Sequence, residues 1–281
     1  FSSADSSSHH KILERALALD ALFEKHGLSL TKSPTLMRLF QQTQTTAKPI
    51  DGASGAGITY EDLFGAAQME RIASAALILE EDQRPYPHLV ALLNGSLNLL
   101  RREQSKAKDT LWELELLRML RNIGIDSSLG EPDIIVEFDG ARIGIACKKF
   151  YSEANVAKVL SQAISQIERA YDFGIVAVNL DDLLPEDHLV DAPTFEGVSA
   201  ILEGRLMNFM QKHERHLRRY LEPGRAMTAL VSCAALADVR AEKPRFQNAR
   251  QSVAWHIPGQ SSAKSQQMAN FIGAFRAHYE A

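Results

Sequence analysis

Residues 131–149 read EPDIIVEFDGARIGIACKK. Two short apolar runs, 134–138 and 143–147, flank Asp139-Gly140, a dipeptide that suits a tight hairpin because both turn residues tolerate positive φ. The stretch therefore predicts two strands lying side by side. Alternation places Asp133, Ile135 and Glu137 on one face of the first strand, and Gly144, Ala146 and Lys148 on one face of the second. An Asp that opens one strand and a Lys near the end of its neighbour can then meet at one end of a sheet. There the acid can hold a divalent cation, and the amine can steady an attacking water or a phosphate oxygen.

Outward from the hairpin, helix and strand signals alternate. A helix over 109–122 is capped by Asp109-Thr110 and ends at Gly124, with Trp112, Leu116, Leu120 and Ile123 as its apolar stripe. Glu113 falls at the edge of that stripe and Glu115 points away. Glu113 is either partly exposed or paired with a base such as Arg121, or it is an acid reaching toward the hairpin site. Beyond the hairpin, residues 153–172 predict a long helix that buries Val156, Val159, Leu160, Ile164 and Ile167. Gln162 and Gln166 lie one turn apart on it, and amides can donate to phosphate and accept from water without adding charge. The run 174–180, GIVAVNL, predicts a strand covered on both sides. Asp181, Asp182 and Asp187 after it read as solvated loop acids. The expected fold is α/β, a mixed central sheet flanked by helices.

These features resemble the PD-(D/E)xK, or restriction-endonuclease-like, phosphodiesterase superfamily. Its pattern is an acid-bearing helix, Pro-Asp opening a strand, a hairpin into (D/E)-x-K, and a helix often carrying Gln. Here those parts are the helix 109–122 with Glu113, Pro132-Asp133, Lys148, and the helix with Gln162 and Gln166. The resemblance covers about the middle third of the chain. It implies a restriction-endonuclease-like core and a nuclease dependent on Mg²⁺ or Mn²⁺. Asp133, Glu113 and the backbone carbonyl of Cys147 would hold the metal, Lys148 would stabilise the nucleophile or the charge developing on phosphorus, and Gln162 and Gln166 would stand beside them. The family's second carboxylate, two positions before Lys148, is replaced by Ala146. Three readings stay open: a neighbouring acid such as Glu113 or Glu137 completes the site, the chain is a disabled nuclease, or the match is structural only.

The rest of the chain frames this centre. Residues 1–105 predict an all-helical N-terminal region, with helices over 11–26, 34–40, 59–81 and 87–102 and a loop over 41–56. By the resemblance, residues 106–281 are expected to form the nuclease-like domain. The first ten residues, FSSADSSSHH, read as a flexible end. A helix over 198–221 concentrates cations, of which Lys212, Arg215, Arg218 and Arg219 are candidate phosphate contacts; as a bare helix end, the same cations simply favour the C-terminal dipole. Strands over 229–237 and 252–257 and a helix over 262–279 close the chain, with His256 as a structural histidine.

Composition limits the alternatives. The 281 residues carry a net charge of -4, so attraction to a nucleic acid must come from a local patch. No apolar stretch is long enough to span a bilayer. The two cysteines, Cys147 and Cys233, sit in apolar strand-like runs, which points to reduced thiols in a cytoplasmic protein and leaves no Cys-based zinc site. The leading expectation is a metal-dependent nuclease acting on nucleic acid, DNA first. The alternatives are a non-catalytic nucleic-acid-binding module and a protein-interaction module that docks through the N-terminal helices.

Overall fold

The computed structural model describes residues 2–5, 7–48, 57–171, 174–187, 189–255 and 263–279. A strand, β1 (Ser2–Asp5), precedes helices α1 (His9–Lys25), α2 (Pro34–Thr46), α3 (Tyr60–Ala76) and α4 (Tyr86–Leu93). Then follow α5 (Lys106–Asn122), β2 (Asp126–Leu129), β3 (Ile134–Phe138), β4 (Ala141–Lys149), α6 (Val156–Glu168) and β5 (Gly174–Asn179). The chain continues with β6 (Val190–Ala192), α7 (Phe195–Leu221), β7 (Thr228–Val239), β8 (Phe246–Trp255) and α8 (Ala263–Tyr279). His256 lies outside the described residues.

The strands form one mixed sheet in the order β1-β8-β7-β5-β4-β3-β2, with β6 paired to β7. The pairs β4–β5, β5–β7 and β6–β7 are parallel and the others antiparallel. Asp139 and Gly140 both adopt positive φ, 51° and 72°, and close the β3–β4 hairpin as an Asp-Gly turn should. Alternation along the hairpin decides what each sheet face meets. Ile134, Val136, Ile143, Ile145 and Cys147 pack with Trp112, Leu116 and Leu120 of α5 and Met268, Phe271 and Ile272 of α8. Ala146 faces the other way, onto Val156, Leu160 and Ile164 of α6 and on to Leu202, Leu206 and Phe209 of α7.

The N-terminal helices bury their own cluster, which takes in Ala107, Leu111 and Leu114 of α5. That helix is therefore covered on two sides, and it ends at Gly124 in a Schellman motif: the Gly124 amide donates to Arg121 and the Ile125 amide to Leu120.

Several elements differ from the sequence expectation. Residues 2–5, expected as a flexible end, form an edge strand in register with residues 248–251 of β8, so among the described residues before 106 a strand accompanies the helices; residues 49–56 of the expected loop lie outside the described residues. Residues 41–46 continue α2 rather than starting a loop, and α4 stops at Leu93. Helix α5 begins at Lys106, not Asp109, because Ser105 adopts the extended N-cap conformation and Ala107 and Lys108 are buried. Strand β8 starts six residues before position 252. Asp181 and Asp182, expected in solvent, have side chains only 8% and 4% exposed. Glu115, expected to point away, is 3% exposed.

Candidate active site

The hairpin brings its two key residues together. Asp133 precedes β3, and the β3–β4 register pairs Ile134 with Ile145, so the next step outward sets Asp133 beside Ala146 and within reach of Lys148. The Asp133 carboxylate accepts a hydrogen bond from the Cys147 amide at 2.7 Å and from the Lys148 ammonium at 3.2 Å, both on Oδ2. Tyr171 steadies the approach to this strand by donating its hydroxyl proton to the Glu131 carbonyl at 3.0 Å. Gly144 lets it do so, since a Cβ there would meet the Tyr171 ring at 2.6 Å.

Asp133, Cys147 and Lys148 form one side of an open cleft of about 880 Å³. Glu113 enters from α5, and Gln162 and Gln166 line the wall that α6 provides. All the expected site residues thus share one cleft. The Oε1 atom of Gln166 is buried without a hydrogen-bond partner.

Glu113 is 9% exposed, and its nearest cation is Lys106, at 3.8 Å. Arg121, the partner considered from the sequence, instead donates to the Ser127 carbonyl. Burial, and then the repulsion of Asp133, push the Glu113 pKa up to about 7; Lys106 and Lys148 pull it partly back, and Asp109 adds to the rise. Burial also raises the Asp133 pKa, against the pull of Lys148 and the Cys147 amide. A buried carboxylate whose proton is held on by a second carboxylate beside it marks a place where added positive charge is favoured. The Cys147 thiol is buried and its pKa is pushed well up, so it stays neutral and its carbonyl is the donor that remains.

A stability measurement tests the strain on Glu113. Its folded pKa lies above the ordinary value, so its contribution is complete below about pH 4.5 and is lost as the pH rises through about 7. In a metal-free buffer, Glu113→Gln is therefore expected to gain stability over wild type across that window, by roughly 3 kcal/mol at its upper end. Urea unfolding at pH 4.5 and pH 8 reads the difference; equal gaps at both would place Glu113 in solvent.

The cleft holds two residues that sequence reasoning passed over. Tyr151 lies 2.9 Å from Asp109 Oδ1 and 3.1 Å from the Ser105 carbonyl, to either of which its hydroxyl can donate. Asp109 sits one helical turn before Glu113, and that spacing is the signal that could have found it. Of the expected phosphate contacts on α7, none lines the cleft. Lys212 pairs with Glu153 at 2.5 Å, Arg218 pairs with Glu214 and Glu222, Arg219 lies over the Tyr220 ring and Arg215 donates to His216. The cleft brings its own cations, Lys106, Lys148, Lys149 and Arg169.

Among the described residues, no group of three or more His, Cys, Asp or Glu side chains is placed to hold a metal. Among the same residues, no helix is long and apolar enough to cross a membrane. Neither the protein-family models nor the curated proteins compared with this chain include a match to it.

Proposed function

We propose that the chain is a metal-dependent phosphodiesterase with a restriction-endonuclease-like core, acting on nucleic acid. The observation that carries this reading is the pairing of Asp133 with Lys148 at the adjoining ends of β3 and β4, facing Glu113 across the cleft. The donor set suits a hard cation. Mg²⁺ is commonly held by one or two carboxylates, the remaining positions going to water and substrate phosphate, and Glu113, Asp133 and the Cys147 carbonyl provide such a set. A bound Mg²⁺ or Mn²⁺ would supply Lewis acidity and a more acidic water. The chain's own groups do the rest. Lys148 offsets charge gathering on the phosphorus oxygens, the amides of Gln162 and Gln166 orient phosphate and water, and Lys106 and Arg169 attract the polyanion.

The test is cleavage of duplex and single-stranded DNA and of RNA with Mg²⁺ or Mn²⁺, for wild type, Asp133→Asn and Lys148→Ala. Each substitution is expected to lower the rate by about a hundredfold or more. Cleavage that persists unchanged in both variants would remove the site from consideration.

A second reading is supported by Ala146: a nucleic-acid-binding module on the same scaffold, without catalysis. Binding that survives EDTA and Lys148→Ala, but weakens when Arg218 and Arg219 become Ala, selects it.

A further inference from the structure

Helix α5 carries two sets of charged residues that do different things. Asp109 and Glu113, four apart, line the cleft. Lys108 and Glu115, seven apart and so also on one face, enter a buried ionic network on its other side. Arg71 of α3 grips Glu115 with two bonds and also reaches Asp181, which follows β5. Arg250 of β8 adds a second cation to Glu115 at 2.7 Å. Lys108 pairs with Asp182 at 2.8 Å, and Asp182 pairs at 2.8 Å with Lys149, the residue after Lys148. The network thus ties α5 to the ends of β4 and β5, at the level of the cleft and through side chains that are almost wholly buried.

We propose that this network positions the cleft: Arg71, which does not line it, sets the place of α5 and so the reach of Glu113 toward Asp133. The inference rests on the reading of Glu113 and Asp133 as cation ligands. Removal of Arg71 frees α5 to shift against the ends of β4 and β5. Glu113 moves with its helix while Asp133, held by the Cys147 amide, stays. Arg71 is a positioning residue in this scheme, and its effect reaches the cleft through Glu115 and Asp181.

Mn²⁺ affinity, measured by titration calorimetry and by electron paramagnetic resonance of the free ion, tests it without any turnover. The variant Arg71→Met/Glu115→Gln removes the central pair without leaving either partner's charge behind. Its dissociation constant for Mn²⁺ is expected to rise about tenfold or more, the scale typical of residues that orient ligands from behind. Arg71→Lys, which keeps the charge but loses the two-pronged grip, is expected to fall between this variant and wild type, and it decides the matter if the double variant does not fold. The control is Arg15→Met/Glu70→Gln, a pair joining α1 to α3 away from α5; it is expected to lower the melting temperature and leave Mn²⁺ affinity unchanged. Unchanged affinity in folded Arg71 variants, or an equal loss in the control, overturns the positioning role. A wild-type chain that takes up no Mn²⁺ overturns the cation reading itself, and the inference with it.

Discussion

Ala146→Glu is expected to destabilise the chain by about 3 kcal/mol in EDTA, to recover most of that loss in excess Mg²⁺ or Mn²⁺, and to raise phosphodiester cleavage. The register places the new carboxylate beside Asp133, at a position that is fully buried and packed toward α6. A charge there is paid for only by a cation between it and Asp133. A ligand at a hundred times its dissociation constant returns about 2.7 kcal/mol, close to the expected loss. Thermal melts with and without the metal, run alongside cleavage of labelled DNA, read both effects. A variant that is destabilised equally with and without metal would show that position 146 does not face a cation site. One that is rescued by metal yet cleaves nothing would leave a metal-binding scaffold without catalysis.

Arg71→Met is expected to cost about 3 to 5 kcal/mol at neutral pH, the range for breaking a buried ion pair from one side. The lower end is favoured, because Glu115 keeps Arg250 and Asp181 keeps Lys149 and the Ala234 amide. The sign with pH follows from the carboxylates. Burial raises the Asp181 pKa, but Arg71, Lys149 and Arg250 outweigh it and hold the group well below the usual carboxylate range. Glu115 is lowered in the same way, by Arg250 and then Arg71 against burial. Their stabilisation is therefore complete above the ordinary carboxylate pKa and is lost as the pH falls. The gap between Arg71→Met and wild type is expected to be widest near pH 7 and to narrow in acid, measured by urea unfolding at both. A gap that widens in acid would contradict the network as described.

The hairpin was legible in the sequence because its signals are local: an Asp-Gly turn, period-two alternation and an acid placed before the first apolar residue. The cleft followed from it, since β4 and α6 carry Lys148, Gln162 and Gln166 along with the backbone. What was illegible depends on distant partners. Nothing near Glu115 or Asp181 in the chain reveals that Arg71, 44 and 110 residues away, neutralises them. The same holds for β1 and β2, whose sequences SSAD and DSSL have no apolar alternation and take strand form because β8 and β3 offer open edges. For the cations of α7 the sequence shows the run but not the neighbours. Their density drew attention, yet Glu214, Glu222 and Glu153 pair with Arg218 and Lys212, whereas the cations that line the cleft are scattered along the chain, at Lys106, at Lys148 and Lys149, and at Arg169.

Gly144 and Gly174 stand opposite one another where β4 and β5 run parallel. A methyl group on Gly174 would come within 2.2 Å of the Gly144 carbonyl, as one on Gly144 would strike Tyr171. Neither glycine has a functional group to offer, yet enlarging Gly144 dislodges the ring that anchors Glu131, two residues before Asp133, and enlarging Gly174 drives the β4 backbone itself aside at Gly144. Under the phosphodiesterase reading proposed above, a survey of inactivating substitutions would place these silent positions beside the acid and the lysine, and sensitivity to change would be a poor guide to which residues meet a substrate.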